Sequence, residues 1–380
     1  MSTLGGMPAY LDHAATTPML PQAVEAMLPF LRDRFGNASG SHAVSREAKK
    51  AVEEAREVVA GYLGARPGEV VFTGGGTEAD NLAVIGAHAA RPGTVLCGAV
   101  EHHAVLHATQ ALGGRLVPVS ADGTIDLDAL AEMLDPSVSV LSVMLANNEV
   151  GTIQPLDEIA GVMRSRAPEA VLLTDAVQAF PWLDVAHLAA PADLVAVSAH
   201  KFGGPKGVGA LVVRDGVALR PLIHGGGQER DRRSGTHNVP GIVAMAAAMQ
   251  ATVAERGATV SRVTELRDRL ADGLLSAVPG ASETGVRDRK VSGNCHLTFD
   301  GVEAEALLVL LDGAGVYASA GSACASGAVE PSHVLSAMGV PRERGLAALR
   351  LSLGRTTTAE DVDLALAAVP AAVARLRDAG

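Results

Sequence analysis

The sequence predicts an α/β fold, in which a mainly parallel seven-stranded sheet carries helices on both faces and a smaller α+β domain follows. Three observations support this prediction. The first two thirds of the 380 residues alternate short β-branched runs with segments of helical periodicity, which is typical of an α/β fold. Most of the short runs are continuously apolar, as expected for strands covered on both faces. The order of elements changes after the helical stretch that begins at Val239, which indicates a second unit.

Seven runs rich in Val, Leu and Ala are the predicted strands of the large sheet. They span residues 70–73, 94–97, 115–119, 137–145, 170–174, 194–198 and 208–213. The clearest helix between them spans residues 43–63, where Val44, Ala48 and Val52 recur at helical spacing with charged residues opposite. This alternation favours parallel strands with helices between them.

A long Ala- and Met-rich helix is predicted from Val239 to about Ala271. We expect a domain boundary inside it near residue 255, because a chain of this length fits one large and one smaller domain. The large domain then comprises residues 18–254, and the small domain comprises residues 1–17 and 255–380. The elements predicted for the small domain are a strand at 296–299, a helix from Glu303, a Gly/Ala/Ser loop at about 318–330, a strand at 349–353 and a final helix from about Thr358, capped by Thr357 or Thr358.

Composition and charge argue against several classes of function. The formal net charge is −11, so a nucleic-acid backbone is not expected as a main partner. The N-terminal residues lack the pattern of a secretory signal, and no apolar run is long enough to span a bilayer. Three cysteines are an odd number in a long chain without an export signal, which argues for reduced thiols. We therefore expect a soluble cytoplasmic protein with no membrane partner.

Lys201 follows closely on the predicted strand 194–198 and leads into a Gly/Pro loop. Its amine is expected at the C-terminal edge of the sheet, where open α/β sheets bind ligands. A lysine there can form a Schiff base with a carbonyl cofactor if desolvation leaves part of it uncharged. The alternative is an ordinary surface lysine in a strand-to-loop turn, and Lys206 fits that description better.

Asp175 closes the predicted strand 170–174 and brings a carboxylate to the same edge of the sheet. Pyridoxal 5′-phosphate requires an acid opposite its ring nitrogen, because a protonated ring is the better electron sink. Asp175 could serve as that acid, and Gln178, one helical turn further, could donate to the ring hydroxyl. The alternative for Asp175 is an ordinary helix N-cap.

Three glycines, Gly74, Gly75 and Gly76, lie between a predicted strand and a predicted helix. Glycines at such a turn let backbone N–H groups approach a phosphate, and the helix dipole favours the anion. Their spacing fits neither a dinucleotide fingerprint nor a Walker loop. The alternative is a tight strand-to-helix turn with Thr77 as N-cap.

His102 and His103 follow the predicted strand 94–97. A histidine at this edge can stack on a flat ring and move protons near neutral pH. Adjacent histidines point apart, and the sequence offers no third and fourth ligand at a consistent spacing. We therefore predict no metal site.

Taken in order, these motifs resemble those of the cysteine desulfurases in the class V aminotransferase family, closest to the NifS/IscS-like group. The likeness extends over almost the whole chain, which makes coincidence a poor explanation. The matching stretches are residues 10–18, 36–39, 75–78, 101–102, 147–155, 175–178, 198–201, 233–236, 322–326 and 350–355.

The resemblance implies a pyridoxal 5′-phosphate enzyme in which Lys201 is the Schiff-base lysine and base, Asp175 the partner of the ring nitrogen, and His102 the stacking residue. It also implies a homodimer with active sites at the subunit interface. The remaining roles that it implies are phosphate binding by Gly76, Thr77, Ser198 and His200, with Thr236 from a second subunit; cofactor or substrate contacts by Gln178 and Asn148; and binding of the substrate carboxylate by Arg350 and Asn37.

Cys324 lies in the loop at about 318–330, among small residues that bury little surface. Such a loop suits a thiol that attacks the sulfur of L-cysteine, keeps it as a persulfide and releases L-alanine. We interpret Cys97 and Cys295 as small buried hydrophobes. The implied partners are sulfur-acceptor proteins, either an iron–sulfur scaffold or a tRNA-thiolation enzyme.

The chain departs from the family pattern in two places, and three alternative functions stay open. The chain has Asn37-Ala38-Ser39-Gly40 where the family usually has Asn-Pro-Ser-Ser, and it ends at Gly380 without the longer tail that some members use to dock a scaffold protein. The alternatives are a selenocysteine lyase, another class V aminotransferase-type enzyme and a non-catalytic scaffold. The intact set of Lys201, Asp175, His102 and Cys324 argues against the last.

Overall fold

A computed structural model describes residues 8–320 and 330–379, which form twelve strands and twelve helices. The strands are β1 (Ala9–Tyr10), β2 (Val70–Thr73), β3 (Thr94–Gly98), β4 (Arg115–Val117), β5 (Val138–Ser142), β6 (Val171–Asp175), β7 (Leu194–Ser198), β8 (Gly209–Val213), β9 (Ala281–Glu283), β10 (Asn294–Phe299), β11 (Val316–Tyr317) and β12 (Ala348–Ser352). None of the helices in these described ranges is both long and apolar enough to cross a membrane.

The helices differ widely in length, from single turns to the 39 residues of α8. They are α1 (Pro21–Arg32), α2 (Ala43–Tyr62), α3 (Gly76–Ala90), α4 (His103–Ala111), α5 (Leu127–Met133), α6 (Leu156–Arg166), α7 (Val185–Leu188), α8 (Val239–Ala277), α9 (Ala304–Gly313), α10 (His333–Ala337), α11 (Arg342–Gly345) and α12 (Ala359–Ala379).

The large sheet has seven strands in the order β2-β8-β7-β6-β5-β3-β4. Only β8 runs antiparallel to its neighbours, so the predicted mainly parallel sheet is confirmed. All seven predicted runs are strands. The run 137–145 gives the shorter strand β5, although the N–H groups of Val143 and Leu145 still donate to carbonyls of β6, at 3.0 and 2.9 Å.

Alternate residues of each central strand face different helical layers. In β7, Val195 and Val197 belong to the core shared with α2, α6 and the first half of α8. Leu194 and Ala196 belong to the core shared with α3 and α4. Successive side chains of a strand point to opposite faces of the sheet. Because helices cover both faces, all of these side chains are buried, and the whole strand is a continuous apolar run.

The last third of the chain forms its own core around an antiparallel sheet of β12, β10 and β9. Phe299 of β10 packs there with Leu270 and Leu274 from the second half of α8. Three short strands, β1, β9 and β11, were not predicted, because two or three residues carry too little periodicity. Since α8 contributes to both cores, a boundary inside it remains our proposal.

Candidate active site

A pocket of about 430 Å³, here called the main pocket, opens at the C-terminal edge of the large sheet. Its wall collects residues that follow five different strands of that sheet, together with one residue from β12. The predicted site residues in its lining are Gly76, Thr77, His102, Asn148, Asp175, Gln178, Ser198, His200, Lys201 and Arg350. The parallel strands end at one edge, which brings together residues that are far apart in sequence.

Lys201 lies in a short 3₁₀ turn directly after β7. Its Nζ donates hydrogen bonds to the carbonyl oxygens of Ala14 and Ala15, at 2.6 and 2.9 Å. Burial, assisted by the positive charge of Arg350, lowers the pKa of this amine from 10.5 to about 8, against the attraction of Asp175. A sizeable fraction of the amine is therefore uncharged slightly above neutral pH, as a nucleophilic lysine requires.

Asp175 is the last residue of β6 and is only 4% exposed. Its Oδ1 accepts a hydrogen bond from the N–H of Val177 at 2.8 Å. Burial raises the pKa of this carboxyl, while the charges of His102 and Lys201 and the Val177 N–H oppose the increase. A cationic group placed beside Asp175 would stabilise its ionised form.

His102 caps the N-terminus of α4 through its ring, whose Nδ1 accepts a hydrogen bond from the N–H of Ala104 at 3.1 Å. This bond assigns the proton of a neutral ring to Nε2. Gln178 also lines the main pocket, and its Nε2 donates to the carbonyl of Ala14 at 2.6 Å.

A second pocket, here called the glycine pocket, adjoins the first and is lined by the turn at Gly74, Gly75 and Gly76. Gly75 has a φ of 145°, which favours glycine. A Cβ on Gly76 would come within 3.0 Å of Val177 Cγ2, so a side chain there would crowd the turn. With the α3 N-terminus alongside, this cradle fits an anion such as a phosphate.

The side chains that border the glycine pocket include hydroxyl, imidazole and ammonium groups. His200 Nδ1 lies 3.1 Å from Thr16 Oγ1, and Ser198 is almost fully buried beside them. Lys206 is exposed, as we expected, but it also lines this pocket. Sequence reasoning missed that placement, although its position in the Gly/Pro loop after Lys201 was a usable signal.

Arg350 reaches the main pocket from β12 of the small sheet. Its Nη2 donates to Asp12 Oδ1 at 2.8 Å, and its Nη1 donates to the carbonyl of Asn148 at 3.0 Å. A guanidinium in this setting is suited to binding a carboxylate. The carboxylate of Asp12 occupies part of that capacity here, so a substrate carboxylate would compete with it.

Comparison with known proteins decides the family. A model described as "Aminotransferase class-V" matches residues 9–365. The chain belongs to the class-V aminotransferase family. It is 48% identical to the IscS-like cysteine desulfurase of Mycobacterium tuberculosis over 98% of both chains, and 43% identical to the cysteine desulfurase IscS of Methanosarcina thermophila over 97% of this chain and 93% of that one. A solved structure titled NifS-like protein superposes with a TM-score of 0.91 at 36% identity, covering 97% and 100% of the two chains.

Within this class-V fold, two predicted site residues of the described ranges, Asn37 and Thr236, do not line the main pocket. Asn37 lies elsewhere, where its Oδ1 accepts the N–H of Ser39 at 3.0 Å. Thr236 is exposed and lines neither the main nor the glycine pocket. Cys324 lies outside the described residues, whereas Ser319, near the start of the loop predicted at about 318–330, lines the main pocket.

Sequence reasoning assigned no role to Asp80 and Glu101, two almost fully buried acids near this class-V site. Asp80 lines the main pocket, and it interrupts the buried apolar face that Ala79 and Leu82 form on α3. A charged residue on such a face was the available signal. Within the described ranges, no group of three His, Cys, Asp or Glu side chains is arranged to hold a metal ion.

Proposed function

We propose that this chain is a pyridoxal 5′-phosphate-dependent cysteine desulfurase, which converts L-cysteine to L-alanine and keeps the sulfur as a persulfide on Cys324. One observation carries the proposal: the amine of Lys201, with a pKa lowered to about 8, shares one pocket with Asp175 and Arg350. A partly uncharged amine, a buried acid and a guanidinium are what a carbonyl cofactor and an amino-acid substrate require.

The chain offers a complementary group for each end of the cofactor. Gly76, Thr77, Ser198 and His200 would surround the phosphate at the N-terminus of α3. Asp175 would pair with the ring nitrogen, Gln178 would donate to the ring hydroxyl, His102 would stack on the ring, and Asn148 would contact cofactor or substrate. When bound, the cofactor supplies the electron sink for the negative charge that develops at the substrate Cα.

The protein's own groups then bind the substrate and move its protons. Arg350 would bind the carboxylate of L-cysteine, and Lys201 Nζ would take the α-proton. His102 would carry the proton at the substrate thiol. The thiolate of Cys324 would attack the substrate sulfur, so that an S–S bond forms as the Cβ–S bond of the substrate breaks. Protonation of the substrate at Cβ and Cα would then complete L-alanine.

The proposal extends to assembly and location. A homodimer would let Thr236 contact the phosphate of the partner subunit's site, which agrees with its exposure outside the pockets of its own chain. Sulfur would pass from Cys324 to an iron–sulfur scaffold or a tRNA-thiolation enzyme in the cytoplasm. The absence of a spanning helix among the described helices is compatible with this location.

The test is to incubate the purified protein with pyridoxal phosphate and L-cysteine, and to measure alanine and enzyme-bound persulfide. We expect stoichiometric alanine from the wild type, and no persulfide from Cys324→Ala. Cys97→Ala is the matched control, because Cys97 is buried and burial raises the pKa of its thiol to about 12. Alanine without a persulfide on Cys324 would reassign the thiol. No alanine from protein that still binds the cofactor would overturn the desulfurase activity in favour of another class-V reaction.

A further inference from the structure

Three buried carboxyl groups influence one another at the main pocket: Asp80 on α3, Glu101 after β3, and Asp175 at the end of β6. They are 1%, 1% and 4% exposed. Asp80 and Asp175 both line the main pocket. We call this group the carboxyl well.

Within the described part of the chain, the carboxyl well has fewer partners than buried acids normally have. Asp80 Oδ1 and Glu101 Oε2 have no hydrogen-bond partner among the described residues. Glu101 Oε1 accepts the N–H of Met144 at 2.5 Å, and Asp175 Oδ1 accepts that of Val177. None of the salt bridges found in the described ranges involves these three acids. Asp80 is thus a nearly fully buried acid in the wall of a pocket, with one oxygen, Oδ1, that no described residue pairs.

The three acids act on one another electrostatically. Burial raises the pKa of Asp80 well above its usual range, and Asp175 and Glu101 raise it further. Burial and then Asp175 raise the pKa of Glu101 to about 8. The opposing cations, His102 and Lys201, act on Asp175, and Lys201 is itself influenced by Arg350 and Asp12. Without a further cation, the well can carry little negative charge.

We infer that Asp80 and Glu101 are positioning residues that act through Asp175, and that the carboxyl well selects a ligand ring carrying a positive charge at its end of the main pocket. A protonated ring nitrogen beside Asp175 would supply a cation to the three acids. A cation there lowers the pKa of all three acids, and each acid that ionises in response adds negative potential at that point, since fields are weakly screened in a buried site. The inference deepens the proposed function, because it rests on pyridoxal phosphate as the ligand.

The test compares two ligands that differ only at the ring nitrogen. Apoprotein is titrated with pyridoxal phosphate and with its deaza analogue, in which carbon replaces that nitrogen, and both dissociation constants are measured without L-cysteine. Both ligands carry the aldehyde and the phosphate, so their contacts with Lys201 and the glycine pocket cancel in the ratio of the two constants. That ratio measures the selection of a cationic ring.

We expect the wild type to prefer pyridoxal phosphate, and Asp80→Asn and Glu101→Gln each to reduce this preference roughly tenfold, the equivalent of one pKa unit. Ser142→Ala is the matched control, because Ser142 is a fully buried residue with an unpaired Oγ but no charge. It should leave the ratio unchanged.

Each outcome decides the inference. An unchanged ratio in both folded acid variants would overturn it, whether or not the protein is a desulfurase. A reduced ratio in the acid variants would support it even if no alanine were ever formed from L-cysteine. Failure of the wild type to bind either ligand would overturn the cofactor assignment and the inference together. Using two near-isosteric variants, each checked by thermal unfolding, guards against a folding defect in one of them.

Discussion

The buried acid Glu229 with its partners, here called the paired set, and the three acids of the carboxyl well differ in the groups that surround them. Glu229 is 5% exposed, as deeply buried as the acids of the carboxyl well. It accepts hydrogen bonds from both terminal nitrogens of Arg56, at 2.7 and 2.8 Å, and from the Phe72 N–H at 2.8 Å, and its Oε1 lies 2.6 Å from His237 Nε2. Burial alone would raise the pKa of Glu229, but the bonds from Arg56 and His237 prevail and lower it to about 2.

The carboxyl well shows the opposite balance, because the donors and cations there only partly offset the effect of burial, and the pKa values of its acids are raised. The comparison teaches that burial alone does not decide the charge of an acid, and that its hydrogen-bond donors and cations do. Fully paired charges such as Glu229 and Arg56 serve the structure. Perturbed acids without partners, such as Asp80, mark positions where a ligand is expected.

The paired set also carries backbone strain. Glu229, Arg230 and Asp231 have φ values of 50°, 56° and 63°, a region that side chains other than glycine enter at a cost. The contacts of Glu229 with Arg56, which also lies over the Phe72 ring at 4.7 Å, hold this segment in place. The segment 229–231 precedes Thr236 by a few residues. In the proposed dimer, Thr236 must be held in position to contact the phosphate of the partner subunit's site.

The largest effect is expected from breaking the paired set. Arg56→Ala should lower the free energy of unfolding by about 3–5 kcal/mol, because it leaves the charge of Glu229 buried without its main partner. Urea unfolding followed by circular dichroism measures the change. Adding Glu229→Gln to Arg56→Ala should recover part of the loss, since it removes the unpaired charge. A loss below about 1 kcal/mol would mean that the two sets do not differ as described.

An intermediate effect is expected from the pH dependence of the carboxyl well. Glu101 keeps its proton up to about pH 8 in the folded chain but loses it near its ordinary pKa of 4.5 when unfolded. Between these values the folded state binds more protons, so stability falls as pH rises, by up to about 1.4 kcal/mol per pH unit. The free energy of unfolding of the wild type minus that of Glu101→Gln should therefore decrease between pH 4.5 and about 8, and level off above about pH 8.

Urea unfolding at several pH values measures that difference. Glu229 provides the contrast, because its lowered pKa makes its contribution complete above pH 4.5 and lost as pH falls through about 2. A flat difference curve for Glu101→Gln would show that the pKa of Glu101 is the same in the folded and unfolded chain, which would contradict the effect assigned to burial in the carboxyl well.

The smallest effect is expected at an exposed ion pair, which sharpens the contrast with Arg56. Lys50 and Glu54 lie 3.6 Å apart one turn along α2, with 76% and 63% of their side chains exposed. Lys50→Gln should change the free energy of unfolding by no more than about 0.5 kcal/mol. The same urea titration, repeated in high salt, should show the difference shrinking. A cost comparable to that of Arg56→Ala would contradict the role assigned to burial.

Much of the fold could be predicted because its signals are local. Continuous apolar runs such as 194–198 identify strands buried on both faces, and the N-cap expected near Thr358 is confirmed by the Asp361 N–H, which donates to Thr358 Oγ1 at 3.3 Å. The carboxyl ends of parallel strands meet at one edge. This rule alone places Lys201 and Asp175 in the same pocket.

The sequence by itself therefore determined the large sheet, the edge that carries the pocket and, through a family resemblance, most of the residues in its wall. Only the tertiary structure decided which distant side chains meet. Arg350 comes from a separate sheet to pair with Asp12, Glu229 finds Arg56 across 173 positions of the chain, and Asp80 joins Glu101 and Asp175. Local periodicity carries no information about such contacts, because they depend on how whole helices and sheets pack against one another.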